Sequence, residues 1–423
     1  MQPFDLVVVG GGPAGFFGAI RFKQLCPLAR VLIVEKDSLP LRKLLQTGGG
    51  RCNITHACPD PREFIKSYPR GGKFLLGALF HFGPDDLLNW FEDQGLDFYC
   101  DPQGCYFPIT DRAQSVVDIL LDRAKKIAIE IRTQVSMEDL AINLQDNSCL
   151  IGLSSGDQVY SSLVLIATGD NRKALEVVAK LGIPQSPVMP ALFAFKLQEP
   201  GLAQLAGITV ERVGLRLPLT PFAQAGTLLI THRGLSGPVV INLSSWAARH
   251  LHDAGYRHAL QVDWLDGIGD QGSSNEILKQ YKRSNSTRRI TALSPFPALS
   301  LRLWQWLVLR SQIPEQLRWG DLSKVQMAGL NLVLRAGLFA ICGRDAHKQE
   351  FVTCGGVQLD AIDAQGFECR DLPGLCFAGE VLDIDGLTGG YNLQNCWTSA
   401  WLAGERLAGR YAEIHTDNRL QIG

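Results

Sequence analysis

The sequence predicts an α/β fold in which a split Rossmann-like domain carries an inserted β-barrel-like domain and a small helical domain. Three observations predict it. Residues 6–35 read as strand, glycine turn, helix, strand and acid, in that order. Residues 351–394 supply a second buried strand, an acid and a double glycine before a helix. Between these blocks run short alternating segments and then two amphipathic helices, as an insertion would. The expected division is 1–190 with 356–423, then 191–270 with 337–355, and finally 271–336.

The first block is the most informative. Leu6–Val9 is a valine-rich run of the kind buried in parallel sheets. Gly10, Gly12 and Gly15 then make G-x-G-x-x-G, enclosing Pro13 and Ala14, and Phe16–Leu25 reads as a helix. Val31–Val34 is the next strand, and Glu35 stands twenty residues beyond Gly15. Gly10 serves the tight turn, Gly12 the close approach of a pyrophosphate, and Gly15 the packing of helix on strand. The helix N-terminus favours the phosphates. Glu35 is placed to accept ribose hydroxyls and disfavours a 2′-phosphate. The bare glycine pattern is weak evidence; the five elements in register are strong.

Composition narrows the class. A chain of 423 residues exceeds one hydrophobic core. With 41 basic and 42 acidic side chains, no global field draws nucleic acid or an anionic membrane, so an RNA contact needs a local patch. No signal-peptide pattern and no apolar run of spanning length appear, which predicts a cytoplasmic protein without a membrane partner. The eleven cysteines are odd in number and scattered. Cys100 and Cys105 lack further ligands at zinc or iron–sulfur spacing, so no metal is expected.

After Glu35 comes Gly48-Gly49-Gly50-Arg51-Cys52-Asn53. Alone it reads as a flexible loop; beside a dinucleotide unit it reads as a cofactor-facing one. Arg51 then suits a phosphate or an electron-rich ring, and Asn53 a helix cap or a ring edge. Residues 64–96 are helical in pattern, 101–108 turn-rich, 113–128 helical and 129–135 a strand. Strands follow near Leu140–Leu144 and Cys149–Leu153, with a turn at Asp146-Asn147, and Val159–Ile166 ends in Ala167-Thr168-Gly169.

Pro184, Pro187 and Pro190 suggest a junction. Phe193–Leu197, Ile208–Val213, Gly226–Thr231, Pro238–Leu243 and Ala259–Leu265 then read as strands of the small barrel-like domain. Gly267–Gly272 repeats G-x-G-x-x-G, but position 292 is Ala where the acid should stand, and the composition is that of a linker. Lys279, Lys282, Arg283, Arg288 and Arg289 form a basic cluster, either a solvated helix end or an anion or RNA contact. Residues 299–313 and 322–338 read as helices; Trp304 and Trp306 suit the core or a stacked base.

The last block runs from Phe351 to Gln394. Leu375–Ala378 is a buried strand, Gly379 and Glu380 follow, and Gly389-Gly390 open a helix from about Leu393 to Leu407. Glu380 thus sits at a strand's carboxyl end, where α/β sheets bind ligands. The helix N-terminus favours negative charge on an acceptor.

Four motifs in this order resemble a known family: Val9–Gly15, Gly48–Thr55, Thr231–Pro238 and Phe351–Gln394. The chain is similar to the bacterial NAD(P)/FAD-dependent oxidoreductases, an aminoacetone-oxidase-like and bile-acid-reductase-like family whose relatives include ribosomal RNA dihydrouridine synthases. The second and fourth motifs are the specific ones. The resemblance implies a split FAD-binding domain with barrel and helical inserts. It implies that Gly10, Gly12, Pro13, Ala14, Gly15, Glu35 and Lys36 hold the ADP half of FAD. Lys43, Val135, Thr168, Gly169, Gly379, Glu380 and Asp383 would border the remainder. Gly389, Gly390, Tyr391, Asn392 and Leu393 would lie along the isoalloxazine, and Gly50, Arg51, Cys52 and Asn53 would approach its other side. One departure is plain. Ala167–Asn171 leads into a shortened segment, where the family has a longer Gly/Ser/Pro-rich loop.

The function this implies is an FAD-dependent reductase. NADH or NADPH, docking transiently, would reduce the flavin, and hydride would pass to a polarised C=C bond. The substrate is either a small enone or a uracil of 23S ribosomal RNA, flipped into the site. Arg51 and Cys52 are the catalytic candidates, with Cys52 either the proton donor or a buried structural thiol. The alternatives are an oxidase of a small aminoketone and a flavin-bearing RNA-binding or assembly factor without turnover. The sequence leaves the oligomeric state open.

Overall fold

The computed structural model describes residues 3–143, 145, 148–345 and 352–422. The turn expected at Asp146-Asn147, and Leu144 and Phe351 at the edges of expected segments, lie outside the described residues. The chain forms two compact units, Met1–Met189 with Val352–Gly423, and Pro190–Phe351.

The first unit is built on a seven-stranded sheet. Phe4–Val9 lies between Val31–Val34 and Gln158–Ile166, all parallel, with Val7 opposite both Leu32 and Val164. Glu130–Arg132 extends one edge in parallel. On the other side Leu375–Phe377 joins the carboxyl half of Gln158–Ile166, with Leu375 opposite Val164. Ser148–Leu153 pairs antiparallel with the amino half of the same strand. The first and last blocks therefore meet on one strand. Val7, Val8, Leu32, Ile33, Val164 and Leu165 are inaccessible to solvent, as helix-covered parallel sheets require.

Helices Pro13–Leu25 and Tyr391–Ile422 cover the sheet. They approach closely at Gly18, where a Cβ would stand 3.2 Å from the Ala400 carbonyl oxygen. The helical stretch at 64–96 is divided into Pro61–Phe64, Gly72–His81 and Pro84–Glu92. Gly71 at φ 74° and Pro84 after Gly83 make the breaks. The turn-rich 101–108 proves to be half of a hairpin, Phe98–Cys100 against Cys105–Pro108, with Thr55–His56 as third strand.

The second unit is a closed six-stranded barrel: Ala194–Leu197, Gly234–Ser236, Ala223–Thr231, Thr209–Arg216, His258–Asp263 and Gly337–Asp345. Its core is shared with helices Leu301–Arg310 and Lys324–Ala336 through Trp264, Leu303, Leu307, Leu330 and Phe339.

Two expectations are corrected here. Pro238–Leu243 is not a strand but the start of helix Pro238–Trp246. Gly237 takes φ 91°, Pro238 fills the first helical turn, and Val239, Val240 and Leu243 bury one face. Burial of that face overrides the β-preference of the valines. The linker expected over Gly267–Gly272 is confined to 267–270. Gln271–Ser284 is already helical, capped by the Asp270 carboxylate accepting from the Ser273 N–H at 2.9 Å.

Candidate dinucleotide and redox site

The glycine turn separates two closely packed glycines from an open one. Gly10 has φ 109°, and a Cβ there would stand 2.4 Å from the Ala167 carbonyl oxygen. At Gly15 a Cβ would lie 1.9 Å from the Gly10 oxygen. Around Gly12 nothing comes within 4 Å of that position. Helix Pro13–Leu25 starts there with no side-chain cap, so its first-turn N–H groups face open space suited to an anion.

Glu35 buttresses the turn as well as extending from it. Its carboxylate accepts from the Gly11 N–H at 2.6 Å and the Asp37 N–H at 2.8 Å. Val135 is fixed beside it, its N–H donating to the Glu35 carbonyl at 2.9 Å. Lys36 is exposed. Across the turn, Thr168 presents a buried hydroxyl oxygen with no hydrogen-bond partner among the described residues. Such an orphan calls for a ligand or solvent partner. An open Gly12, an uncapped helix start, an acid at the ribose position and an orphaned hydroxyl together fit a dinucleotide.

The last block joins this cradle at Gly379, which has φ 77°. A Cβ there would meet Ala14 at 3.1 Å and the Cys396 sulfur at 3.2 Å, and its N–H donates to Ser399 Oγ at 2.9 Å. Glu380 follows directly. Burial pushes its carboxyl up, and the Lys43 ammonium 3.5 Å away draws it back. Lys43 also pairs with Asp170 at 2.7 Å. Burial opposes the Lys43 charge, but the two carboxylates hold its pKa above the ordinary value. Asp170 and Asn171 belong to the shortened segment: Asn171 caps helix Arg172–Lys180. Asp383 accepts from the Gly355 N–H at 3.1 Å.

A second knot ties residues 50–56 to residues 389–394. Gly389 and Gly390 have φ 117° and 94°, and a Cβ on Gly390 would stand 2.6 Å from the Thr55 carbonyl carbon. The Asn53 amide accepts from the Gly390 N–H at 3.2 Å and donates to the Thr55 carbonyl at 2.9 Å. The Thr55 hydroxyl donates to Gln394 Oε1 at 2.6 Å, and Gln394 Nε2 to Thr398 Oγ1 at 2.9 Å. Asn392 closes on Gly386, accepting its N–H and donating to its carbonyl, both at 2.8 Å. Tyr391 is pinned by Tyr68, whose hydroxyl donates to the Tyr391 carbonyl at 2.6 Å. Leu393 is half-buried.

The two expected catalytic residues part company. Gly50 at φ 89° carries the chain past them. Arg51 is exposed, its guanidinium 4.2 Å above the Phe107 ring and 3.9 Å from Asp111. Cys52 turns into the hydrophobic core with φ 63° and no exposure. Burial pushes its thiol up to about 12, against a hydrogen bond with Thr47.

Sequence reasoning missed His56 and Cys105, both half-buried, with His56 beside Gly389. They face each other across adjacent strands, sulfur to Nδ1 at 4.0 Å. His56 stacks on Tyr391, centroids 4.8 Å apart and 28° from parallel. Its Nδ1 lies 3.1 Å from the Gly389 oxygen, which can only accept. That fixes the tautomer with the proton on Nδ1 and leaves Nε2 as the acceptor. Burial lowers the His56 pKa and raises that of Cys105, so at neutral pH the imidazole is uncharged and the thiol keeps its proton. A strand pairing across 49 positions leaves no periodic signal that could have paired them.

The family described as HI0933-like protein Rossmann domain matches residues 4–406. The chain is 28% identical over 431 residues to the ribosomal RNA dihydrouridine synthase of Escherichia coli (strain K12), covering 96% of this chain and 98% of that protein. It is 27% identical over 416 residues to the 3-dehydro-bile acid delta(4,6)-reductase of Clostridium scindens, covering 95% and 98%. Among solved structures it is similar to a 3-ketosteroid delta1-dehydrogenase from Sterolibacterium denitrificans, with TM-score 0.53 and 12% identity over 97% of this chain and 100% of that one. At that identity the likeness concerns the fold alone. Among the described residues no helix is long and apolar enough to cross a membrane.

Proposed function

The chain belongs to the HI0933-like Rossmann-domain family, and from that premise we propose that it is an FAD-dependent reductase drawing on NADH or NADPH. The observation that carries this reading is the seat of Gly379 against Ala14, which sets Glu380 beside the glycine turn. A dinucleotide lying from Glu35 past Gly12 towards Glu380 and on to Gly390 would follow the first and last motif blocks in turn. FAD, when bound, supplies hydride transfer to a polarised C=C bond, in an enone or in a uracil base.

The chain's own residues do the rest. Gly12 and the first-turn N–H groups hold the diphosphate, Glu35 the ribose, and Thr168 Oγ1 and Glu380 the linking chain. The Gly389–Leu393 segment offers a flat wall, and the N-terminus of helix Tyr391–Ile422 favours negative charge beside it. Cys52 keeps its proton at neutral pH but is sealed from solvent. Cys105 stands half-open against His56, keeps its proton at neutral pH, and is a second candidate proton source.

The test is direct. The purified protein is denatured and the released cofactor identified by chromatography, then the holoprotein is titrated anaerobically with NADH and NADPH. Bleaching of the flavin, followed by reoxidation with a uracil-containing RNA or an enone, is the expected outcome. An absence of FAD, or a flavin bleached by a small aminoketone and not by nicotinamide, sinks the reading.

A further inference from the structure

The near-neutral chain hides a charge division. Residues 190–351 hold eighteen Lys and Arg against eleven Asp and Glu, a balance of +7. The remainder holds twenty-three against thirty-one, a balance of −8. Within the inserted unit the excess is concentrated at residues 279–324, with nine basic side chains against two acidic ones.

The fold brings part of this excess onto one strip. Arg289 pairs with Arg318 in an isolated antiparallel bridge. The Ile290 N–H donates to the Leu317 carbonyl at 3.0 Å, the Trp319 N–H to the Arg288 carbonyl at 2.9 Å, and the Gly320 N–H to the Ser286 carbonyl at 2.8 Å. Two runs thirty residues apart are thereby zipped together, with like charges opposed across the bridge, an unfavourable arrangement on its own. The strip is anchored to the core: Trp319 is fully buried, and Trp304 donates to the Ile290 carbonyl at 2.8 Å. Arg283, Arg288, Arg289, Arg318 and Lys324 are exposed. Among the described residues, Arg288, Arg289, Arg318 and Lys324 make no ion pair, although Arg212, Arg310 and Arg335 of the same unit each have a carboxylate partner.

We propose that this strip is a phosphate-backbone binding surface for RNA. The proposal goes beyond the reductase reading above and adds a binding surface to it. Arginines without a carboxylate partner can meet phosphates without first breaking an ion pair, and each neutralised phosphate releases counterions. Trp304 and Trp319 are spent in the core, so the strip offers charge without stacking, which suits helical or stem–loop RNA more than a bare single strand.

The experiment measures fluorescence anisotropy of a labelled stem–loop transcript from large-subunit ribosomal RNA against the holoprotein over a salt series. The variant R288Q/R289Q/R318Q/K324Q is compared with K125Q/K126Q, which removes exposed cations from the other unit. Melting temperature and flavin content report whether each protein is folded and loaded. Binding by the parent, weakened roughly tenfold or more in the quadruple variant with the salt slope reduced by about 3, is expected. K125Q/K126Q should bind as the parent does. The proposal is overturned if the parent does not bind the transcript, if both variants weaken alike, or if phosphatidylglycerol vesicles are bound and RNA is not. Anisotropy reads RNA and the cofactor assay reads FAD, so failure of this inference is distinguishable from failure of the reductase reading.

Discussion

Lys43 Nζ lies 3.5 Å from Glu380 Oε2, joining positions 337 residues apart at the point where the first and last blocks meet. The Glu380 carboxyl is raised above its ordinary value of 4.5 by burial, despite the ammonium. The native state therefore holds a proton at pH values where the unfolded chain has lost its own. Stability falls as pH climbs from about 4.5 through the native value. Glu380→Gln removes this dependence. Thermal melts of the cofactor-free protein should show the variant gaining on the parent as pH rises. A melting difference that stays constant with pH would remove burial of Glu380 as the cause.

Gly10 and Gly12 of the fingerprint should fail differently. Gly12→Ala puts a methyl into open space at an ordinary φ of −86°, so the fold should persist while the dinucleotide is lost. Gly10→Ala meets the Ala167 backbone at φ 109°, and strain of roughly 1–3 kcal/mol should lower the melting temperature of the cofactor-free protein. Melting and cofactor content measured together separate the two. Equal melting losses would mean that Gly12 is structural too.

Cys52 should be chemically silent. With its thiol pushed up to about 12 and no exposure, almost no thiolate exists at pH 8. Cys100 and Cys342 are exposed. Peptide mapping after brief iodoacetamide treatment should find those two labelled and Cys52 untouched. Early labelling of Cys52 would show that the 48–53 loop opens readily.

How much of this was legible beforehand depended on where the signal lay. The βαβ unit was readable because its strands, glycines and acid are contiguous in sequence. Leu375–Ala378 was readable because a strand buried on both faces is apolar throughout. Pro238–Trp246 was misread because Val-Val-Ile favours strands locally, and the face it buries belongs to the barrel. His56 and Cys105 meet only through strand register, and Arg289 meets Arg318 only through an isolated bridge. Such contacts follow from the folded chain, not from spacing.

His56 gives a pH prediction of the opposite sign from Glu380. Burial lowers its pKa below 6.5, while the Gly389 carbonyl and Asp101 partly restore it. The native imidazole resists a proton that the unfolded chain accepts, so stability falls as pH drops below about 6.5. Urea midpoints from pH 7.5 to 5 should fall more steeply for the parent than for His56→Gln. Parallel curves would contradict the assignment.

Arg335 explains why the second glycine pattern is ordered, and its loss should be the most destabilising single change in the inserted unit. The side chain is 5% exposed and rises from helix Lys324–Ala336 into the 265–270 loop. It donates to the carbonyls of Leu265 and Ile268 at 2.7 Å and of Asp270 at 2.6 Å, and also to that of Gly269. The Asp263 carboxylate accepts at 3.1 Å. Gly267 and Gly269, at φ 94° and 50°, bend the chain around it. Arg335→Met keeps the stem but strands four carbonyls and the half-buried Asp263, whose carboxyl burial already raises. A loss of roughly 3–5 kcal/mol is expected, as for a broken buried pair. Arg335→Lys should recover only part of it, because one ammonium cannot reproduce the planar fork. Denaturant unfolding of both variants measures this. A cost below about 1 kcal/mol for Arg335→Met would mean that the loop holds its shape without the guanidinium.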